Sequence, residues 1–263
     1  WLDDLHTLSS RSRFAIHILA IALPLVVVGF WRELEMPFVG VLPMGAVGIL
    51  MALVWGVGLT NAYNFMDGID GIAALQAIAT GSGWFVAGWM LDVPMVMWTG
   101  GVIAAATLGF FPYNWSPAKI FMGDVGSAFC GYVFAVITLI AYFTVPSSYS
   151  LRIPLAGLVF VWPFVFDAVY TFIRRARNRE SLFTAHRSHL YQRLVMSGHS
   201  HRLVAGIYGL LAAVSVLAGL DWLFNWTGSD IPVVVCLLGV AFLLVGWARS
   251  AERASKARVA GAS

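Results

Sequence analysis

Two amides, two carboxylates and two glycines stand together in NAYNFMDGIDGIA (residues 61–73), directly after the apolar run VGILMALVWGVGLT. Residues three apart drift around a helix axis, so Asn61, Asn64, Asp67 and Asp70 would fan over about half the circumference of an unbroken helix. Gly68 and Gly71 permit a break near 66–68 that aims both ends at one point, and irregular backbone at membrane depth belongs beside a polar cavity. A simpler reading makes Asp67 or Asp70 the N-cap of the next helix. Capping accounts for one carboxylate and not for the set.

Three further stretches carry polar residues of the same kind. WLDDLHTLSS (1–10) brings Asp3 and Asp4, with His6 beside them. In PYNWSPAKIFMGDVGSAFCGY (112–132), Pro112 and Pro117 stop a helix, and Asp124, with Gly123 and Gly126, opens another. The free N–H groups and positive dipole end of such a helix start suit an anion, and Lys119 adds a mobile cation. Asp124 and Ser127 as plain caps are the alternative. RRARNRESLFTAHRSHLYQRLVMSGHSHR (174–202) holds seven arginines and four histidines. Arg174, Arg175, Arg177 and Arg179 read in part as an anchor against acidic lipid, whereas His186, Arg187 and His189 have the character of phosphate ligands. The His-x-x-His spacing alone, with no cysteine or carboxylate close in sequence, is a poor zinc site.

Clustered carboxylates at one membrane face repel unless a cation joins them, and hard oxygen donors without sulfur suit magnesium or manganese. Beside arginines and histidines they describe metal-assisted phosphoryl chemistry: the metal neutralises phosphate, basic groups hold it, and a spare carboxylate takes a proton or attacks. One substrate would be a soluble nucleotide and the other would arrive through the lipid.

The elements that position these groups are membrane helices. The chain of 263 residues is 60% hydrophobic and 11% charged, with mean hydropathy +0.82, far below the charge of soluble domains. Eight apolar stretches approach the length of a span: roughly 13–31, 43–62, 70–91, 94–112, 127–145, 153–173, 203–224 and 231–248. The expected fold is therefore all-α, a polytopic transmembrane bundle of about eight spans forming a single domain over 1–263. Eight spans put both termini on one side, and all but Arg32 and Arg152 of the 16 lysines and arginines fall there, which makes that side cytoplasmic. Asp3, Asp4, Asp67, Asp70 and Asp124 share that side; Glu33, Glu35, Asp92, Asp221 and Asp230 form a solvated rim on the other. The net charge of +3 sits at span ends rather than on a soluble face, which excludes nucleic acid as a partner. Cys130 and Cys236 lie within spans as packing thiols, and His17 is read as a satisfied helix histidine. A cation-coupled transporter is the rival class, but its carboxylates belong near the bilayer midplane, in repeated halves, and no internal repeat is visible.

LDDLHTLSSRSR (2–13), NAYNFMDGIDGIA, PAKIFMGDVGSAFCGY (117–132) and HRSHLYQRL (186–194) resemble, in the same order, the polyprenyl-phosphate N-acetylhexosamine-1-phosphate transferases of glycosyltransferase family 4, relatives of the phospho-N-acetylmuramoyl-pentapeptide transferases. The resemblance implies transfer of a sugar 1-phosphate from a UDP-N-acetylhexosamine to undecaprenyl phosphate in the bacterial inner membrane, with release of UMP and a requirement for Mg2+, Mn2+ being an alternative. It implies that Asp3 or Asp4 deprotonates the lipid phosphate. Asn64, Asp67 and Asp70 match the nucleotide and metal motif, to which Asn61 adds an amide, with Asp67 also a candidate nucleophile. Asp124 matches a magnesium ligand, and His186, Arg187 and His189 the loop that meets the sugar phosphate, with Lys119 on the substrate side. Asp167, followed by Arg174 and Arg175, matches a family pattern at a span end, where a buried helix-pairing role serves equally. His-Arg-Ser-His replaces the three consecutive histidines of the murein-precursor branch, so the O-antigen-initiating branch is expected, with enterobacterial common antigen and teichoic-type glycans as alternatives. The sugar, the choice of one step or two, and the oligomeric state, a homodimer included, stay open. Family members carry about three helices before the Asp-Asp motif, so a chain starting at Trp1 is expected to be N-terminally truncated.

Overall fold

Apolar runs that keep their backbone hydrogen bonds within themselves become helices, and the computed structural model, which describes residues 10–181 and 187–260, is built almost wholly of them. In chain order the elements are α1 (Ser10–Val27), the hairpin β1 (Glu33–Met36) and β2 (Gly40–Pro43), α2 (Val47–Met66), α3 (Ile72–Met90), α4 (Pro94–Asn114), α5 (Gly123–Thr144), α6 (Ser147–Ser150), α7 (Ile153–Phe160), α8 (Trp162–Arg177), α9 (Leu190–Met196), α10 (His201–Phe224) and α11 (Ile231–Ala260). The bundle is the expected all-α membrane fold, and each of the eight anticipated stretches overlaps a helix.

The count of eight spans is too high. Among the described residues five helices are long and apolar enough to cross a membrane, α2, α4, α5, α10 and α11, and six if the bent pair α7 and α8 forms one span. The apolar part of α1, Phe14–Val27, is short of the about 20 residues a bilayer needs. Helix α3 lies inside the bundle, and its composition follows from that place: Gln76, Thr80, Gly81 and Gly83 are all buried. A methyl group at Gly81 would come within 2.7 Å of the Gly100 carbonyl on α4, so small residues let these two helices approach closely.

The expected span 153–173 is broken. Pro163 follows the break at Val161, and α7 and α8 meet at 80°. The freed Phe160 carbonyl accepts hydrogen bonds from Gln76 Nε2 (2.9 Å) and Thr80 Oγ1 (3.0 Å), so the polar residues of α3 satisfy the kink. Beyond it α8 is amphipathic: Phe164, Asp167, Thr171 and Arg175 face inward, while Val169, Phe172 and Ile173 are exposed. Tyr63, Phe134 and Phe164 join α2, α5 and α8 in the core, with ring centroids 5.0–5.9 Å apart.

Of the far-side acids, Glu33 and Asp92 are exposed as a solvated rim would be, whereas Glu35, Asp221 and Asp230 are structural ties. Glu35 on β1 makes a bidentate pair with Arg152 (2.8 and 3.0 Å), whose guanidinium also donates to the Trp222 carbonyl. Asp230 accepts from the Phe38 amide at the hairpin tip, and Asp221 holds both the amide and the hydroxyl of Thr227.

Candidate active site

Helix α2 stops at Met66, where Asp67 leaves helical geometry, and α3 starts after Gly71, which has φ +80. The break anticipated from Gly68 and Gly71 therefore exists. It is held from α4: the buried Asn114 accepts from the Gly71 amide (3.1 Å) and donates to the Ile120 carbonyl (3.0 Å). Neither Gly71, which precedes α3, nor Met122, which precedes α5, caps its helix through a side chain, and Asp70 accepts from a loop amide, Ala118 (3.2 Å). The capping reading of these aspartates is thus not what the chain adopts.

Asp67 and Asp124 are electrostatic neighbours. Burial, and next the charge of Asp124 in the first turn of α5, push the Asp67 carboxyl up to about 7. Asn64 joins the same corner, donating to Ser127 Oγ (3.1 Å), which in turn donates to the Gly123 carbonyl. Asn61 does not join it, because its amide donates to the Val57 carbonyl on its own helix. Asp70 faces the start of α10, with His201 Nδ1 3.5 Å from its Oδ2. Lys119 is exposed on the loop between α4 and α5, and Arg187 is exposed before α9. Asp3, Asp4 and His186 lie outside the described residues.

His189 is buried. Its Nδ1 is 3.3 Å from Asp167 Oδ1, and its own amide donates to Gln192 Oε1 as the N-cap of α9. Arg175 also turns inward, to the Ser181 carbonyl, so it holds the loop after α8 rather than reaching for lipid; Arg177 and Arg179 are exposed. Arg193 on α9 makes a bidentate pair with Glu252 on α11 (2.6 and 2.9 Å), and Trp247 donates to His199 (3.3 Å). The last helix thus braces the short helix that follows the histidine loop.

Sequence reasoning did not single out Asn114, Tyr191 or His201. Tyr191 donates its hydroxyl to the Phe65 carbonyl (3.0 Å), and a methyl group at Gly68 would run into that hydroxyl. Burial, followed by the charges of Asp167 and Asp67, raises the Tyr191 phenol far above its ordinary value. An amide at a helix end in PYNWSP and a second histidine pair in GHSHR were the available signals.

Among the described residues no group of three or more histidines, cysteines or acids is placed to hold a metal ion. The donor set still suits one hard cation: two carboxylates whose charges oppose each other are the share that magnesium takes from protein when phosphate oxygens supply the rest.

The model of the family described as Glycosyl transferase family 4 matches residues 1–142. A probable undecaprenyl-phosphate N-acetylglucosaminyl 1-phosphate transferase of Bacillus subtilis is 33% identical over 221 residues, covering 82% of this chain and 61% of the relative. A decaprenyl-phosphate N-acetylglucosaminephosphotransferase of Mycobacterium tuberculosis is 32% identical over 270 residues, 92% of this chain and 66% of the relative. A phospho-N-acetylmuramoyl-pentapeptide-transferase of Staphylococcus epidermidis is 34% identical over 161 residues, 59% and 48% of the two chains. The chain spans under two thirds of the length of these relatives. The four motifs, the multi-pass helical bundle and a family match over more than half the chain agree: the protein belongs to glycosyl transferase family 4.

Proposed function

We propose that this protein transfers N-acetylhexosamine 1-phosphate from a UDP-sugar to a polyprenyl phosphate, with undecaprenyl phosphate as the carrier, and releases UMP on the cytoplasmic side of a bacterial inner membrane. The observation that carries this reading is the corner where the apolar helix α2 breaks. Asn64 is hydrogen-bonded to Ser127 in the helix turn that carries Asp124, and Asp67 follows at the break, its charge disfavoured by burial and by Asp124, which a cation would relieve. The names of the relatives favour N-acetylglucosamine as the sugar. HRSHLYQRL favours the start of O-antigen synthesis over other envelope glycans.

Asp67 and Asp124 would hold Mg2+, which when bound supplies neutralisation of the pyrophosphate charge. An oxygen of the lipid phosphate forms a bond to the β-phosphorus of the nucleotide sugar, and the bond from that phosphorus to the bridging oxygen breaks. UMP leaves with that electron pair, and the sugar stays on the carrier through a new pyrophosphate. Asp3 or Asp4 takes the proton of the lipid phosphate. Asn64 and Asp70 serve the nucleotide side, and Lys119, His186 and Arg187 the phosphates, while His189, buried against Asp167, holds the loop that presents His186 and Arg187.

The test is UMP release by the purified protein in nanodiscs, with a panel of UDP-N-acetylhexosamines, undecaprenyl phosphate, and Mg2+ or EDTA. Release that needs both lipid and Mg2+ supports the reading and names the sugar. No release with any donor, or release indifferent to the lipid, overturns it.

A further inference from the structure

We propose that Asp167 is a positioning residue for this site, fixing the start of α9 and, through Tyr191, the backbone that carries Asp67. The inference rests on the function proposed above and adds a residue to it.

Asp167 is 0% exposed, within α8. Its carboxylate accepts from Leu190 N (2.8 Å), Tyr191 N (3.1 Å), Tyr208 Oη (2.7 Å) and Thr171 Oγ1 (3.2 Å), with His189 Nδ1 3.3 Å away. Leu190 and Tyr191 open α9, and the first amides of a helix have no partner within it. A carboxylate from another helix takes both. Stripping water from a carboxylate is costly unless its lone pairs are filled, and here they are filled from α8, α9 and α10 at once.

Tyr191 carries this anchor onward. Its amide is held by Asp167, its hydroxyl holds the Phe65 carbonyl, and it packs against Gly68, so one residue links Asp167 to both sides of Asp67. The ring of His189 lies against Tyr191 and Phe65, with centroids 6.0 and 6.2 Å away. Asparagine has the shape of aspartate but only one acceptor oxygen, and in either orientation its amide nitrogen would confront a backbone N–H, that of Leu190 or that of Tyr191. The site therefore requires a carboxylate, and a displacement of Tyr191 is passed directly to Asp67.

The test compares Asp167→Asn, Tyr191→Phe and the double variant, purified in nanodiscs, by kcat per folded molecule, melting temperature and Mn2+ binding read by electron paramagnetic resonance. Asp167→Asn is expected to lower kcat by about 10- to 100-fold, and Tyr191→Phe by less. The double variant should be no worse than Asp167→Asn alone, because one path is cut twice. Mn2+ affinity should fall several-fold in both single variants. Wild-type kcat per folded molecule in Asp167→Asn, or losses that multiply in the double variant, overturn the proposal, since a purely structural role predicts one or the other. If Asp167→Asn does not fold, Tyr191→Phe decides, because it removes a single oxygen, and a wild-type kcat there overturns it. If the wild type releases no UMP, the functional reading has failed separately, and unchanged Mn2+ affinity in both variants then overturns the role of Asp167.

Discussion

Asn114 and Gly71 meet across a break in the bundle: the side-chain oxygen at the end of α4 accepts the amide of the residue before α3, while its nitrogen serves the Ile120 carbonyl. One buried amide thus ties the aspartate turn to the loop that leads to Asp124. Asn114→Ala leaves the buried Gly71 amide unpaired, at about 1–3 kcal/mol, and frees the Ile120 carbonyl, which lies nearer solvent and costs less. Thermal melts should show that loss, and UMP release per folded molecule should fall with it. An unchanged melting temperature would refute the clamp.

Asp67 gives a pH dependence whose sign follows from its direction. Its carboxyl holds a proton up to about pH 7 in the folded protein, whereas an unfolded carboxyl releases it near 4. Between those values the folded state binds more protons, so stability falls as pH rises and levels off above 7. A metal competes with the same proton, so affinity for Mg2+ should rise with pH through about 7. Melting temperatures in EDTA and in Mg2+ between pH 5 and pH 8 would show a falling curve in EDTA, with Mg2+ restoring stability most at the alkaline end. Asp67→Asn should flatten the EDTA curve, and a slope that survives the substitution would rule out Asp67 as its source.

Arg152 is the matching test away from the site. Its fork holds Glu35 by two bonds and the Trp222 carbonyl by a third, joining the hairpin, the start of α7 and the end of α10. Lysine cannot reproduce that geometry, so Arg152→Lys and Arg152→Ala should both destabilise, by about 1–3 kcal/mol for the latter. At 25 °C the kcat of both should stay near wild type. A large fall in kcat without a fall in melting temperature would tie the hairpin to the reaction.

Hydropathy located every long helix but not the short α6 and α9, because a segment facing lipid or the bundle core must be apolar along its length. It overcounted spans where helix and span part company. Gln76 and Thr80 sit in a helix that serves the Phe160 carbonyl, and Pro163 divides one apolar run into two helices at 80°. That Asp67 and Asp124 come near each other was legible because both stand beside glycines at helix ends that the polar pattern marks. The partners of Asp167, His201 and Asn114 were not, since each contact joins helices remote in sequence, and a single chain carries no local trace of such pairs. Asn61 was misleading for the opposite reason: its position beside Asn64 suggested a shared site, while its amide satisfies the carbonyl of Val57, four residues back on its own helix.

Gly68 tests the same linkage by steric means. A Cβ there would meet the Tyr191 hydroxyl first, with the ring carbon that bears it next at 3.0 Å. The phenol is fixed by its bond to the Phe65 carbonyl and by the Tyr191 amide on Asp167, so it has no free direction in which to retreat. Gly68→Ala should therefore break the Phe65 bond, move Asp67 and lower kcat by an order of magnitude, about the cost of a displaced reacting group. Tyr191→Phe removes the atom in the way while leaving a tight ring contact. The double variant Gly68→Ala with Tyr191→Phe should then be more active than Gly68→Ala alone, with its kcat approaching that of Tyr191→Phe. Steady-state kinetics on the three variants decide the matter. A double variant weaker than either single one would mean that Gly68 is needed for its own backbone freedom and not for the space it leaves to Tyr191.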